Sequence, residues 1–175
     1  MERVLVIGSP GAGKSTLAAE LARRTGLPLV HLDRLHWKPG WVEAGAEEFD
    51  VMLSEALSAP RWLIDGNYGR TLPLRLARAD TVVWLDFPVW LCLARIVRRA
   101  LRYRGRVRPD MADGCPEQMS WEFFAYTARF PWEGRRRIAA TLPAFRGTVV
   151  RLRGPREVRS WLARLGGQAP GPSRA

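Results

Sequence analysis

Gly8-Ser9-Pro10-Gly11-Ala12-Gly13-Lys14-Ser15 fits the spacing G-x-x-x-x-G-K-[ST] without a mismatch. Glycines at these positions let successive backbone N–H groups turn inward around phosphate oxygens and form an anion nest. A helix starting near Lys14 adds the positive end of its dipole. Lys14 is spaced to reach the outer phosphates of a nucleoside triphosphate, and the Ser15 hydroxyl to ligate Mg²⁺. Thr16 is placed to hydrogen-bond a more internal phosphate. Gly8, Pro10, Gly11, Ala12, Gly13, Lys14, Ser15 and Thr16 are therefore the expected nucleotide-binding residues, with ATP and Mg²⁺ as the expected cofactors.

Three carboxylates follow apolar runs downstream: Asp33, Asp65 and Asp86. If each run is a strand, all three lie with the glycine loop at the carboxyl edge of one sheet, where such sheets bind ligands. A phosphate and metal site requires that pattern, and any of the three is a candidate for the metal. Asp33 is also a candidate catalytic residue, orienting an acceptor hydroxyl or taking its proton. Trp37 and Trp41 flank Lys38-Pro39-Gly40; they are read either as a stacking surface for a planar acceptor or as loop anchors. Asn67 and Arg70, just past Asp65, are candidates for binding an acceptor phosphate. Asp33, Trp37, Asn67 and Arg70 make up the expected acceptor site. His31 and His36 lie nearby in sequence and are read as structural.

Arg95, Arg98, Arg99 and Arg102 follow i, i+3, i+4, i+7 and form one stripe on a helix. No acidic residue occurs between Asp86 and Asp110. Close like charges cost a few tenths of a kcal/mol each, roughly 1–2 kcal/mol over the stripe before screening. An anionic ligand relieves that cost. Arg104, Arg106 and Arg108 continue into a loop that Gly105, Pro109 and Gly114 suit to be a lid, and Arg129 and Arg135-Arg136-Arg137 are placed to close from the far side.

The elements that must position these groups follow from periodicity. Apolar runs at 4–7, 29–32, 61–64, 81–85 and 148–152 read as five strands. Helices are expected at about 14–24, 46–58, 89–103 and 156–165, with one or two more over 118–142. The segment 34–45 reads as irregular. On the helix at 89–103, Trp90, Leu93, Val97 and Leu101 are expected to pack on the sheet. Strands alternating with helices give the fold class: α/β, a five-stranded parallel sheet with helices on both faces and an Arg-rich lid. One domain is expected over 1–165, with a lid at about 103–130 and a flexible tail at 166–175.

Composition narrows the partners. The chain has 175 residues and a formal charge of +11, and 26 of its 28 basic residues are Arg. Residues 1–94 hold 10 basic and 11 acidic residues, whereas 95–175 hold 18 and 6. The surplus thus begins at Arg95 and is best explained as a phosphate clamp. Two cysteines, Cys92 and Cys115, are too few for a disulfide framework and lack metal-site spacing. The longest apolar stretch, 81–97, is broken by Asp86, Pro88 and Arg95, so no membrane span is expected. With no leader pattern at residues 1–7, the chain is read as soluble and cytoplasmic.

Several segments resemble adenylate-kinase-type P-loop kinases: GSPGAGKST at 8–16, Ile64-Asp65-Gly66-Asn67, and DTVVWLDFP at 80–88 followed by Arg95-Ile96-Val97-Arg98-Arg99. The resemblance is closer to the related group labelled DNA topology modulation proteins, through His31-Leu32-Asp33, Trp37-x-Pro39-Gly40-Trp41, Asp65-Gly66-Asn67-Tyr68 and the segment from Arg102 to Asp110. It covers about residues 1–165. It implies that Asp65 joins Ser15 in holding the Mg²⁺ shell, and that Arg95 and Arg99 contact nucleotide or transferring phosphate beside Lys14. After Asp65-Gly66 the adenylate kinases continue Phe-Pro-Arg, whereas this chain has Asn67-Tyr68-Gly69-Arg70, which weighs against AMP as acceptor. The guanine-reading Asn-Lys-x-Asp of GTPases is missing, and the AAA and helicase classes need longer chains. The expectation is a Mg²⁺-dependent phosphotransferase acting from ATP on a small acceptor. The alternative is an ATP-binding regulator associated with nucleic acid.

Overall fold

Val4-Leu5-Val6-Ile7 is apolar on both sides of an extended chain, so it needs cover on both faces. In the computed structural model, which describes residues 1–118 and 120–166, this run is the middle strand, β1 (Arg3–Gly8), and all four side chains are buried. The chain continues through α1 (Lys14–Thr25), β2 (Leu29–His31), α2 (Leu32–His36), β3 (Trp37–Lys38), β4 (Val42–Glu43), α3 (Ala46–Ser58), β5 (Trp62–Asp65), α4 (Leu72–Arg78) and β6 (Thr81–Leu85). It ends with α5 (Val89–Arg102), α6 (Trp121–Arg129), α7 (Gly134–Thr141), a 3₁₀ turn (Leu142–Ala144), β7 (Thr148–Leu152) and α8 (Pro155–Gly166).

Five strands form one parallel sheet in the order β2-β5-β1-β6-β7. The period of two sends Val4, Val6, Leu63, Val83, Leu85 and Leu152 to one face, beneath Leu17 and Leu21 of α1 and Trp161 of α8. Leu5, Ile7, Trp62, Ile64, Val82 and Trp84 face the other side, beneath Phe49 and Leu53 of α3, Leu72 of α4 and Ile138 of α7. Register sets Val6 beside Asp65 and Gly8 beside Leu85, so the glycine loop leaves the sheet between the ends of β5 and β6. The five-stranded α/β expectation holds, and two helices fill 118–142.

Four details differ from expectation. β2 stops at His31 and the chain turns at once into α2, so Asp33 sits in the first turn of a helix rather than at a strand end. The turn carries Leu32 into the core, where it packs so close to Gly66 that a Cβ there would lie 2.9 Å from it. The segment 34–45 is not irregular: β3 and β4 pair as a small antiparallel hairpin, with Gly40 and Trp41 at positive φ in its tip. α4 was not expected at all.

The fourth difference concerns α5, which buries Cys92, Ile96 and Ala100, while Trp90 and Leu101 are each 68% exposed and Val97 is also exposed. The cause is close approach. A Cβ on Gly11 would lie 2.4 Å from the Cys92 carbonyl oxygen, so α5 packs on the backbone of the glycine loop. Cys92, Ile96 and Ala100 therefore form the inward face, and Trp90, Val97 and Leu101 turn out. Both cysteines are free and buried. No helix among the described residues is long and apolar enough to cross a membrane. Residues 167–175 of the expected tail lie outside the described residues, and Gly166 closes α8.

Candidate functional site

The glycine loop wraps the end of β1. Gly11 and Gly13 take positive φ, which lets the loop turn tightly before α1. Lys14 is held inside it, its Nζ donating to the carbonyls of Gly8 (3.1 Å) and Ser9 (3.2 Å). Burial lowers the Lys14 pKa, while the negative charges of Asp33 and Asp65 oppose that shift. Lys14, Asp33 and Asp65 thus form one electrostatic neighbourhood, and Arg99 also acts on it.

Two arginines of α5 reach this edge. Arg95 donates from Nη1 to the Ala12 carbonyl at 2.8 Å, with its guanidinium over the Phe87 ring. Arg99 donates from Nε to Glu117 Oε1 at 2.9 Å and lies over Phe123. Glu117 also meets Arg108, Nε to Oε2 at 2.6 Å, and Arg108 Nη1 donates to Asp110 Oδ2 at 2.9 Å. The stripe therefore divides: Arg95 bonds the glycine loop, Arg99 is half-buried against Glu117, and Arg98 and Arg102 stay exposed.

The carboxylates separate into different roles. Asp65 is buried, with Oδ1 2.5 Å from His31 Nδ1. Burial disfavours a charged His31, but the hydrogen bond to Asp65 and the charges of Asp65 and Asp110 together outweigh it and raise the His31 pKa. Asp33 Oδ1 accepts from the Tyr68 hydroxyl at 2.7 Å. Burial, and then the charge of Asp33, raise the Tyr68 pKa and keep that hydroxyl a donor. Asp86 is not free for a metal, because Arg135 and Arg151 occupy both its oxygens at 2.5–3.1 Å. This corrects its candidacy: a carboxylate beside two guanidiniums gains more from them than from a shared cation. Among the described residues, no group of three or more His, Cys, Asp or Glu is arranged to hold a metal on its own.

The expected acceptor residues are only partly gathered. Asp33 is at the site edge. Asn67 is committed to the loop, its Oδ1 accepting from Gly8 N (3.0 Å) and its Nδ2 donating to Gly8 O (2.8 Å). It positions the loop, and its donor–acceptor edge is turned to Gly8 rather than to an acceptor. Arg70 points to α3 in an exposed ion pair with Asp50. Trp37 meets Trp41 edge-on, with centroids 5.3 Å apart and planes at 72°, which leaves no flat slot between them. Trp37 packs on His36, which in turn packs on Phe49 and Tyr68, so the hairpin tryptophans serve as anchors. Arg129 and Arg136 are exposed, Arg135 is engaged by Asp86, and Arg137 lies over Gly69.

Three groups escaped the sequence reading. Arg75 is fully buried and donates to the carbonyls of Gly66, Asn67 and Tyr68, fixing the turn after β5 in which Tyr68 has φ 34°. Burial lowers its pKa to about 10. Tyr68 orients Asp33, and Glu117 joins Arg99 to Arg108. None had a spacing signal, since each works through a distant partner. The loop after α5, expected to be a lid, docks on α2 and the hairpin. Arg34 donates to the carbonyls of Pro109 and Met111, Trp41 Nε1 to Pro116 O at 3.1 Å, and Cys115 Sγ to Lys38 O at 3.1 Å.

Comparison with known proteins bears on the loop-bearing half of the chain and on the fold. The family model described as ATPase family associated with various cellular activities (AAA) matches residues 4–64, which run from β1 through β5 and exclude α5 and the lid. A stretch of 72 residues is 40% identical to a protein named 4-hydroxy-3-methylbut-2-enyl diphosphate reductase from Stenotrophomonas maltophilia (strain K279a), and covers 41% of this chain. That stretch spans only 22% of the relative's own length. Among solved structures, a shikimate kinase from Acinetobacter baumannii in complex with shikimate superposes with a TM-score of 0.61 at 18% identity, over 94% of this chain and 90% of that one. A shikimate kinase from Bacteroides thetaiotaomicron gives 0.56 at 20% identity, over 95% and 96%. A gluconokinase from Sinorhizobium meliloti 1021 gives 0.54 at 17%, over 95% and 94%. Residues 4–64 thus match that family model, and about 95% of the chain shares the fold of these solved kinases.

Proposed function

We propose that this protein transfers the terminal phosphoryl group of ATP to a hydroxyl of a small acceptor. The observation that carries the reading is convergence: Lys14 and Arg95 both bond the carbonyls of one loop, and the charges of Asp33 and Arg99 act on Lys14. Phosphoryl transfer needs positioning and charge neutralisation more than covalent help. The three cations neutralise the equatorial oxygens. Asp33, held through Oδ1 by Tyr68, offers its other oxygen to the acceptor hydroxyl. The acceptor oxygen bonds to the γ-phosphorus as the bond to ADP breaks, and the hydroxyl proton passes to Asp33.

Mg²⁺ fits the residues present. It keeps several waters and takes hard oxygen ligands, with the substrate's phosphates completing the shell. The Ser15 hydroxyl and the Asp65 carboxylate oxygen not on His31 would hold it; when bound it supplies charge neutralisation at the phosphates. The resemblance to adenylate-kinase-type enzymes and the shared fold of small-molecule kinases support the reading, as does an acceptor edge without the Phe-Pro-Arg element.

The test is ATP consumption by the folded protein against nucleoside monophosphates, nucleosides and small hydroxylated metabolites. Stimulation by one class is expected, and Asp33→Asn should lower it about 10²–10⁴-fold. Tight ATP binding with no stimulation by any acceptor overturns the reading. A specific observation favours a second one: Arg98, Arg102, Arg104 and Arg106 are exposed and, among the described residues, unpaired with carboxylates. On that reading the outer face of α5 and the lid holds nucleic acid while ATP acts as a switch. Neutralising Arg98, Arg102 and Arg104 would then flatten the salt dependence of DNA affinity, and an unchanged slope rejects it.

A further inference from the structure

Glu117 is the most deeply buried carboxylate of the lid, with 3% of its side chain exposed, and it contacts two guanidiniums. It holds Arg99 by Nε alone. The two terminal nitrogens of Arg99 carry no hydrogen bond among the described residues. The Phe123 ring limits the guanidinium on one face, with its centroid 5.5 Å from Cζ. Burial lowers the Arg99 pKa, and repulsion from Arg108 lowers it further; Glu117, followed by Asp110, opposes both. Without Glu117 the two arginines would repel each other, and Arg99 would lose its fixed edge.

Glu117 is also part of the lid's own closure. Its N–H donates to Arg106 O at 2.9 Å, and its carbonyl accepts from Gly105 N at 3.4 Å. The residues just before it are those docked on the hairpin: Gly40 N donates to Gly114 O at 2.9 Å, Cys115 Sγ to Lys38 O, and Trp41 Nε1 to Pro116 O. A continuous path therefore runs from the hairpin through 114–117 to Arg99.

We propose that Glu117 is a positioning residue. It grips Arg99 by one edge so that the free end of the guanidinium meets the terminal phosphate of ATP, and it ties that grip to the docked lid. This rests on the phosphotransfer reading. The role is preorganisation: a cation held in place before the phosphate arrives costs no reorganisation at reaction.

The test measures ATP and ADP affinities by calorimetry, together with kcat and KM, in wild type, Glu117→Gln, Arg99→Gln and the double variant. Glu117→Gln is expected to leave ADP affinity within about twofold. It should cut the preference for ATP over ADP, and kcat, about tenfold each, with little change in acceptor KM. The double variant should be no worse than Arg99→Gln alone, because the two residues act as one unit. If Glu117→Gln unfolds, Glu117→Asp keeps the charge but shortens the reach, and should show the same loss of ATP preference. A wild-type preference retained in the folded variant, or additive losses in the double variant, overturns the proposal alone. A wild-type chain that binds neither nucleotide overturns the phosphotransfer reading and this proposal with it.

Discussion

The two sides of the site are built by different means. On the phosphate side, the loop at 8–15 grows from a strand buried on both faces, and its shape comes from glycine backbone and from Lys14 and Asn67 bonded to the same strand end. On the lid side, 34–41 and 109–117 meet through single hydrogen bonds between residues about 75 positions apart. The first is a covalent neighbourhood resting on the sheet. The second is a seam of separate contacts, each contributing about 1 kcal/mol net. A seam of that kind can open without disturbing the core, whereas the loop cannot move without the sheet.

The largest expected effect tests the phosphate side. On the proposed transfer, Lys14→Ala removes a half-buried cation that bonds only loop carbonyls, so it should cut kcat about 10²–10³-fold, as losing one preorganised charge donor does. Thermal midpoint should hardly change, and ATP affinity measured by calorimetry should fall with kcat. Next comes Arg75→Met. It is near-isosteric but strands three carbonyls of the turn that carries Asn67 and Tyr68, so a loss of about 3 kcal/mol in stability is expected in urea unfolding. A neutral Arg75→Met would mean that the turn is held by its own backbone, and the contrast between the two sides would weaken.

The phosphate side was legible because its chemistry is contiguous. The motif, the β-branched strands and the helix after the loop all lie in successive residues. The reading failed where a residue's role depends on a remote partner. Asn67 has an acceptor-like identity, yet both its amide atoms serve Gly8 across 59 positions. Arg70 looked like a phosphate ligand and instead pairs with Asp50. α5 was read with its bulky residues inward because amphipathic helices usually lie so. Close packing on Gly11 instead turns Cys92 and Ile96 inward, and no local pattern announces a neighbour's backbone. Arg75 and Glu117 were isolated charges whose burial only the tertiary fold creates.

A third test lies at the sheet edge between the two sides. Burial alone would raise the Asp86 pKa, but hydrogen bonds from Arg135 and Arg151 outweigh it and hold the carboxyl below its ordinary value. The sign follows. A depressed folded pKa contributes stability that is full above the unfolded value of about 3.9 and is lost as pH falls through the folded value. Acid unfolding of the wild type should therefore steepen below about pH 4. Asp86→Asn should flatten that limb and cost about 1 kcal/mol at neutral pH, since both arginines remain partly hydrated.

The smallest effect decides the seam. Trp41→Phe keeps an aromatic ring against Trp37 but removes the Nε1 donor to Pro116. One hydrogen bond is lost, so global stability should fall by only about 0.5–1 kcal/mol. The bond joins lid to hairpin and nothing else, so the change should be concentrated there. Hydrogen exchange at 112–117 should speed up several-fold while β1, β5 and β6 keep wild-type protection. Equal acceleration in lid and sheet would show that the two sides open as one cooperative unit. Faster exchange in the lid alone would establish the seam as the weaker joint.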